Sequence, residues 1–233
     1  MTADPIAQTP SNLQGKDALI ALLQPRSAQA EAFRQLRTAI QHPSGGHPLR
    51  TILATSPDPE DGKSAALANL AITLAQAGSR VTLVDCDLRR PSQHLLFGLQ
   101  NTSGVANALA GNGDALAQES GIPGLRVVTS GTLPSSPAPP DLLVSERFET
   151  MLESLHRESD YVLVDTPPIV PVTDAAVLAS RVDGVLLVLR AGKTKREMAQ
   201  RAKELLVQVN ARILGVVLTN AKPDKAIGSY YAV

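Results

Sequence analysis

The chain has 233 residues, of which 22 are basic and 22 acidic, so its formal net charge at pH 7 is zero. This balance argues against charge-driven binding to nucleic acid, and the single cysteine argues against a disulfide-stapled scaffold. A hydrophobic content of 43% is typical of a globular protein with one substantial core. The first residues lack the pattern of a signal peptide, and no apolar run is long enough to predict a membrane span.

The N-terminal part of the chain is polar and precedes a clear helical pattern. Residues 1–27 are rich in Pro, Gln, Ser and Asn, which predicts a flexible leader with one short apolar stretch at 18–23. Helix formers dominate residues 28–40, where apolar residues recur at helical spacing. We therefore expect one domain over residues 28–222, followed by a flexible tail at 223–233.

The rest of the chain alternates short apolar runs with longer helical stretches. Strands are predicted at residues 51–54, 80–85, 125–129, 161–165, 184–189 and 213–218. Helices are predicted between most of them, at residues 64–77, 105–110, 146–157, 174–179 and 195–209. Strands that are apolar on both faces and separated by helices favour a parallel sheet covered on both sides. The predicted fold is α/β, with a doubly wound, mostly parallel sheet.

The first strand leads into Thr-Ser-Pro-Asp-Pro-Glu-Asp-Gly-Lys-Ser, which ends like a phosphate-binding loop. Backbone amides and the following helix N-terminus can bind phosphate oxygens, Lys63 can reach the β and γ phosphates, and the Ser64 hydroxyl can ligate Mg²⁺. Pro57 stands where the general motif has Gly, and an ordinary helix start is the alternative interpretation. The position between a strand and a helix favours the loop. Its predicted ATP-binding residues are Asp58, Pro59, Glu60, Asp61, Gly62, Lys63, Ser64 and Ala65.

Acidic residues follow two other predicted strands. Asp85 and Asp87 end the second strand pattern, and Asp165 ends the strand Tyr-Val-Leu-Val-Asp. In doubly wound sheets ligands bind at the carboxyl ends of the strands, where a Mg²⁺ ion bridging phosphates needs carboxylate oxygens. A solvated turn and a strand-capping Asp are the alternatives for each site alone. Their joint occurrence at three strand ends favours a nucleotide site.

These motifs together resemble the cytoplasmic kinase domain of the bacterial tyrosine kinase family, which works with polysaccharide co-polymerases. The similarity covers about residues 25–220. It is carried by Glu-Ala-Phe-Arg-Gln-Leu-Arg, Ser-Pro-Asp-Pro-Glu-Asp-Gly-Lys-Ser, Leu-Val-Asp-Cys-Asp-Leu-Arg-Arg-Pro, Ser-Gly-Thr-Leu-Pro-Ser-Ser-Pro and Leu-Val-Asp-Thr-Pro-Pro with Val-Thr-Asp. The resemblance implies a P-loop NTPase fold. It also implies an ATP-dependent protein-tyrosine autokinase that regulates exopolysaccharide or capsule polymerisation and export.

The resemblance also implies roles for individual residues. Lys63 and Ser64 match the Walker A motif, Asp85 and Asp87 the second Walker motif of the family, and Asp165 the Walker B motif. The implied catalytic residues are Lys63, Asp85 and Asp87, with Asp85 or Asp87 orienting and deprotonating the acceptor phenol. The implied metal ligands are Ser64, Asp85 and Asp165, and the implied cofactors are ATP and Mg²⁺.

Two features depart from the family pattern. Glu60 stands where the family usually has Gly, so a carboxylate near the phosphates is expected to affect nucleotide affinity. The family often carries a dense tyrosine cluster in its tail, whereas here only Tyr230 and Tyr231 are present. These two tyrosines are the expected phosphoacceptors, and a plain frayed tail is the alternative.

Glu31, Arg34 and Arg37 share one face of the first predicted helix. Judged alone this is a solvated face, but the resemblance implies that it joins subunits into a homo-oligomeric ring that presents each tail to a neighbour. Further implied partners are a membrane polysaccharide co-polymerase or activator and a cognate tyrosine phosphatase, with no nucleic acid. The expected location is cytoplasmic, at the inner face of the plasma membrane through a partner.

Two other functions are compatible with a phosphate-binding loop on this fold. A partitioning or division-site ATPase would carry a signature Lys early in a Lys-Gly-Gly loop, where this chain has Asp58 followed by Pro-Glu. A non-catalytic nucleotide-binding adaptor of a polysaccharide assembly complex would tolerate the sparse tail and the altered loop. Turnover of ATP without phosphotyrosine would indicate the first, and binding without turnover the second.

Overall fold

The computed structural model describes residues 18–43, 48–113, 116–133, 135–136 and 138–222. The strands are β1 Thr51–Thr55, β2 Val81–Asp85, β3 Gln118–Ile122, β4 Leu125–Val128, β5 Tyr161–Asp165, β6 Gly184–Arg190 and β7 Ile213–Thr219. The helices are α1 Ile20–Leu23, α2 Ala28–Gln41, α3 Lys63–Gln76, α4 Gln93–Phe97, α5 Val105–Ala110, α6 Pro139–Val144, α7 Glu146–Glu158, α8 Asp174–Ala179 and α9 Arg196–Gln208.

The seven strands form one sheet in the order β3-β4-β2-β5-β1-β6-β7. Every neighbouring pair is parallel except β3 and β4, which are antiparallel at one edge. The mostly parallel, doubly wound sheet predicted from the sequence is confirmed. Because β2, β5 and β1 are adjacent at its centre, their carboxyl ends lie side by side.

Two hydrophobic cores cover the two faces of the sheet. Alternate residues of each strand face opposite sides, so Ile52 joins the core beneath α1, α2 and α3, while Leu53 joins the core beneath α5 to α9. Helix α3 is buried along most of its length because α1 and α2 lie over it. The helix that follows the phosphate loop is therefore held firmly on several sides.

The segment at residues 18–27 differs from the flexible leader that the sequence predicts. Leu19 and Ala21 are fully buried against α3, and α1 is a short helix. The side chain of Asn69 accepts a hydrogen bond from the Ala21 amide at 2.8 Å and donates one to the Ala18 carbonyl at 2.7 Å. The leader prediction is wrong for this segment, because four helical residues are too few to show a period. Residues 1–17 lie outside the described residues.

Three further elements were not predicted. Strand β3 lacks an apolar run, and its alternate residues Glu119 and Gly121 are exposed because it forms the antiparallel edge of the sheet. Helix α4 has five residues, which is too short for a clear apolar period, and helix α6 begins with two prolines at the end of a Pro-rich stretch that is typical of a loop. In the described part of the chain, no helix has both the length and the hydropathy that a bilayer crossing requires.

Candidate nucleotide site

The carboxyl ends of β1, β2 and β5 lie side by side along the border of the sheet where the parallel strands end. This border is here called the carboxyl edge. Asp85 of β2 and Asp165 of β5 are register partners, and Asp165 is also paired with Ala54 of β1. The structure thus brings together the three strand ends that the sequence singled out. We call residues 56–62, between β1 and α3, the phosphate loop.

The phosphate loop turns sharply into α3 at Gly62, whose φ of +81° is a left-handed conformation that favours glycine. Within the loop, the Ser56 hydroxyl donates to the Asp58 carbonyl at 2.7 Å, and the Asp58 amide donates to the Asp61 carboxylate at 3.1 Å. No side chain caps the N-terminus of α3. Its first-turn amides, beginning at Lys63, can therefore bind an anion such as a phosphate group.

The Lys63 ammonium is buried between two carboxylates. Its Nζ lies 3.1 Å from Asp87 Oδ2 and 3.9 Å from Asp165 Oδ1, and only 7% of the side chain is exposed. It also lies 3.3 Å from the Ser64 hydroxyl. Burial disfavours the charged ammonium, but the attraction of Asp165 and Asp87 outweighs it and raises the pKa of Lys63. Lys63 is therefore a fixed positive charge at the start of α3.

Asp85 accepts three backbone hydrogen bonds and is fully buried. Its Oδ1 accepts from the Asp87 amide at 3.1 Å, and its Oδ2 accepts from the Ser92 and Gln93 amides at 3.0 and 2.9 Å. Burial and the neighbouring charge of Asp165 raise the pKa of Asp85 to about 8, although the Gln93 and Ser92 amides oppose this shift. The carboxyl group at the end of β2 therefore has its pKa near neutral pH.

Asp165 is incompletely satisfied. Its Oδ2 accepts from the Gln93 side-chain amide at 2.8 Å, whereas its buried Oδ1 has no hydrogen-bond partner. Burial raises the pKa of Asp165, against the opposing attraction of Lys63. An unpartnered buried carboxylate oxygen costs free energy unless a ligand uses it.

The donor set at the carboxyl edge fits a divalent cation. Three carboxylates, those of Asp85, Asp87 and Asp165, surround the single ammonium of Lys63, and the unpartnered Asp165 Oδ1 is a free hard-oxygen donor. No cluster of three or more metal-ligating side chains occurs within the described ranges. Mg²⁺ in nucleotide-binding proteins is held by one or two carboxylates together with phosphates and water.

Glu60 points outward from the loop. Its carboxylate forms an ion pair with Lys193, which follows β6, and 68% of its side chain is exposed. The hydrogen bond and charge of Lys193 lower the pKa of Glu60, with a further contribution from Arg190. Glu60, the residue that departs from the family pattern, is thus paired with a basic side chain of the same chain.

The helix face on α2 makes contacts within its own chain. Arg34 Nε lies 2.7 Å from Glu31 Oε2, and Arg34 also donates to the Pro25 carbonyl at 2.8 Å. Arg37 donates to the Thr73 carbonyl of α3 at 3.2 Å. All three side chains of this face remain partly exposed, so its assignment to subunit contacts stays a prediction. Tyr230 and Tyr231 lie outside the described residues.

Several residues at the site were missed by the sequence analysis. Gln93 bridges the site by donating to Asp165, and it was missed because it belongs to none of the motifs in the sequence. Arg89 donates through Nε and Nη2 to the fully buried Asp174 at 3.1 and 3.2 Å. Asp174 belongs to the Val-Thr-Asp motif that carries the family resemblance, and the sequence predicts no role for it. Thr194 and Thr219 contact Asp61 from distant parts of the chain.

The chain is similar to known nucleotide-binding proteins along most of its length. The family model described as ParA, NUBPL iron-transfer P-loop NTPase, matches residues 51–222. The tyrosine-protein kinase YwqD of Bacillus subtilis is 37% identical over 209 residues, which cover 89% of this chain and 87% of that protein.

Solved structures agree with this relationship. The chimerical protein CapA2B2 superposes with a TM-score of 0.82 at 34% identity, covering 88% of this chain and 91% of that one. The kinase domain of the Escherichia coli tyrosine kinase ETK superposes with a TM-score of 0.81 at 32% identity, covering 88% of this chain and 82% of that one. The P-loop NTPase fold expected from the sequence is confirmed.

Proposed function

Because this chain belongs to the family of bacterial tyrosine-protein kinases, we propose that its carboxyl edge binds ATP with Mg²⁺ and transfers the γ-phosphoryl group to tyrosine. The enzyme is a tyrosine-protein kinase of the P-loop NTPase fold. The observation that carries the site assignment is the buried Lys63 ammonium beside the unpartnered oxygen of Asp165. This arrangement places a buried cation and a carboxylate oxygen without a hydrogen-bond partner together at the end of the phosphate loop.

Each polar side chain has a distinct role in this proposal. Lys63 and the first amides of α3 bind and neutralise the transferring phosphoryl group. Ser64, Asp85 and Asp165 hold Mg²⁺, which supplies further neutralisation of the phosphate charge. The fixed positions of these groups suit a reaction that depends on positioning and electrostatics more than on covalent catalysis.

Phosphoryl transfer also requires a proton acceptor for the tyrosine hydroxyl. As the phenol oxygen bonds to the γ-phosphorus, the bond from that phosphorus to the leaving ADP oxygen breaks and the phenol proton passes to Asp85 or Asp87. Both carboxylates are buried side by side at the end of β2, where the Asp87 amide donates to Asp85 Oδ1 at 3.1 Å. Asp87 also lies against Lys63, at 3.1 Å.

The acceptors in this proposal are Tyr230 and Tyr231, phosphorylated in trans within a homo-oligomeric ring. The ring forms through Glu31, Arg34 and Arg37 of α2, whose side chains are partly exposed. The contacts that these residues make within one chain orient them before assembly. A heterologous contact of this kind closes into a ring when its rotation permits.

The biological setting that we propose is control of exopolysaccharide or capsule polymerisation and export. A membrane polysaccharide co-polymerase or activator holds the kinase at the cytoplasmic face of the plasma membrane, and a cognate tyrosine phosphatase reverses the modification. The similarity to the chimerical protein CapA2B2 supports a second polypeptide that acts with the kinase.

Mass spectrometry of the purified protein after incubation with Mg-ATP tests this function. We expect phosphate on the C-terminal peptide of the wild type, and a loss of at least about 100-fold in Lys63→Met because the main cation at the phosphates is removed. The Tyr230→Phe/Tyr231→Phe double variant should lose the tail signal. Lys203→Met, which changes an exposed lysine of α9, should behave as the wild type.

Absence of phosphotyrosine in the wild type, even with a candidate membrane-protein segment added, would contradict the autokinase proposal. Release of ADP would then indicate a nucleotide-switch ATPase. Binding of ATP without release of ADP would indicate an adaptor.

A further inference from the structure

The phosphate loop is joined to two distant segments through one residue, Asp61. This side chain is fully buried. Its Oδ1 accepts a hydrogen bond from the Thr194 hydroxyl at 2.7 Å, and its Oδ2 accepts from the Asp58 amide at 3.1 Å. Its backbone carbonyl accepts from the Thr219 hydroxyl at 2.6 Å. Both the carboxylate and the carbonyl are therefore held from outside the loop.

The Thr194 hydroxyl acts both as an acceptor and as a donor in this arrangement. It lies in the turn between β6 and α9, where its oxygen accepts a hydrogen bond from the Arg190 amide at 2.7 Å. Its only proton is then available for Asp61. Without the hydroxyl, both a buried carboxylate oxygen and a backbone amide would lose their partners, which is costly for groups away from water.

A second, outer set of contacts joins the phosphate loop to the end of β6 and the turn that follows it. The Glu60 carboxylate pairs with Lys193, and the Arg190 guanidinium donates to the Glu60 carbonyl at 3.3 Å. The side chains of Glu60 and Lys193 are exposed, so salt and water weaken the ion pair. The inner contacts of Asp61 are protected from both.

We propose that Thr194 and Thr219 are positioning residues that fix the phosphate loop through Asp61 and thereby set its affinity for nucleotide. Asp61 immediately precedes Gly62 and Lys63, so a rotation at Asp61 displaces the amides and the ammonium that bind phosphate. Sites of this kind lose affinity when supporting residues allow small displacements. The inference rests on the proposed function, because it concerns the same nucleotide site.

Binding of Mg-ADP, measured by titration calorimetry, tests the role of the hydroxyls. Thr194→Val keeps the side-chain shape but removes the hydroxyl, and we expect its Kd to rise at least about tenfold, as loss of a hydrogen bond to a charged group predicts. Thr194→Ser restores the hydroxyl and should bind within about threefold of the wild type. Thr219→Val should also weaken binding, by a smaller factor because it contacts a neutral carbonyl.

Two controls separate positioning from general damage. Thr150→Val changes an exposed threonine of α7 that donates only to the Glu146 carbonyl of its own helix, and it should leave the Kd unchanged. Lys193→Gln removes the outer ion pair and should change the Kd by less than about threefold at physiological salt.

The outcomes distinguish this inference from the proposed function. A wild-type protein that does not bind Mg-ADP contradicts the nucleotide site itself. Wild-type binding together with an unchanged Kd in Thr194→Val overturns the positioning role and leaves the kinase proposal intact. If Thr194→Val does not fold, Thr219→Val decides: an unchanged Kd in that variant overturns the inference, and a raised Kd at an unchanged melting temperature supports it.

Discussion

The two edges of the central sheet use the same residue types in opposite ways. At the edge where the strands begin, here called the amino edge, Asp160 accepts a hydrogen bond from the Arg80 amide at 2.8 Å and pairs with the Arg80 guanidinium at 2.7 Å. Asp183 likewise accepts from the amides of Arg50 and Thr51, both at 2.8 Å. These carboxylates are satisfied by neighbours, and the Arg80 pair is exposed to water.

At the carboxyl edge the carboxylates are buried, and one of them, Asp165, is only partly satisfied. Asp85 and Asp165 are fully buried, Asp165 shares the ammonium of Lys63 with Asp87, and Asp165 Oδ1 has no hydrogen-bond partner. Buried like charges of this kind destabilise a folded protein unless a ligand neutralises them. The comparison teaches that acidic residues whose oxygens are satisfied at strand ends support the fold, whereas a buried carboxylate oxygen without a hydrogen-bond partner, such as Asp165 Oδ1, indicates a binding site.

The largest effect that sharpens this contrast is expected from Asp165→Asn. The variant should lose about 100-fold or more of tyrosine phosphorylation, because an oxygen donor for Mg²⁺ is removed. The nucleotide-free protein should nevertheless melt higher than the wild type, since a buried charge and its repulsion are removed. A gain of about 1 kcal/mol would raise Tm by about 2–4 °C. Differential scanning calorimetry and phosphotyrosine analysis measure the two effects.

The matched control for this prediction lies at the amino edge. Asp160→Asn weakens a satisfied pair with Arg80, so it should lower Tm and leave phosphorylation close to the wild-type level. A nucleotide-free Asp165→Asn protein that melts below the wild type would show that the buried charge of Asp165 does not destabilise the folded protein.

A smaller effect at the amino edge concerns pH. His156 lies 2.7 Å from the Thr51 hydroxyl through Nε2. Burial, and then the charge of Arg50, lower the pKa of His156 below its ordinary value of 6.5. As the pH falls, His156 therefore takes up its proton at a higher pH in the unfolded chain than in the folded protein. Stability from this residue is complete above about pH 6.5 and falls as the pH drops through that value.

Urea unfolding at pH 7.5 and pH 5.5 tests this pH dependence. His156→Gln should show a smaller loss of stability between the two pH values than the wild type, because glutamine does not titrate. Phosphorylation at pH 7.5 should change little, since His156 is at the edge opposite the site. Equal losses in the two proteins would exclude His156 as a source of acid sensitivity.

The sequence predicts the central sheet well because its strands are buried on both faces. Strands such as β1 and β2 show continuous apolar runs, and every residue in them is buried. Strand β3 is at the antiparallel edge, so its alternate residues are exposed and its run is polar. Leu19 and Ala21 were missed for another reason, since α1 has four residues and its burial depends on packing against α3.

The candidate site was predictable where its residues end a strand or belong to the phosphate-loop motif. Asp85 and Asp165 end β2 and β5, so the order of strands alone brings them together. Thr194 and Thr219 reach Asp61 from 133 and 158 residues away. Contacts across such separations depend on how β6 and β7 are placed beside β1, which local sequence patterns do not encode.

The smallest effect is expected from Arg126→Gln at the amino edge. Arg126 Nη1 lies 2.7 Å from Glu158 Oε2, but 62% of the Glu158 side chain is exposed. The free energy of unfolding should therefore fall by less than about 1 kcal/mol, with phosphorylation within about twofold of the wild type. Both values come from urea unfolding and phosphotyrosine analysis, and the difference in stability should shrink further in 1 M salt. A loss of phosphorylation approaching that of Asp165→Asn would mean that the two edges are coupled, because removal of one charge of an exposed, satisfied pair would then affect the distant site.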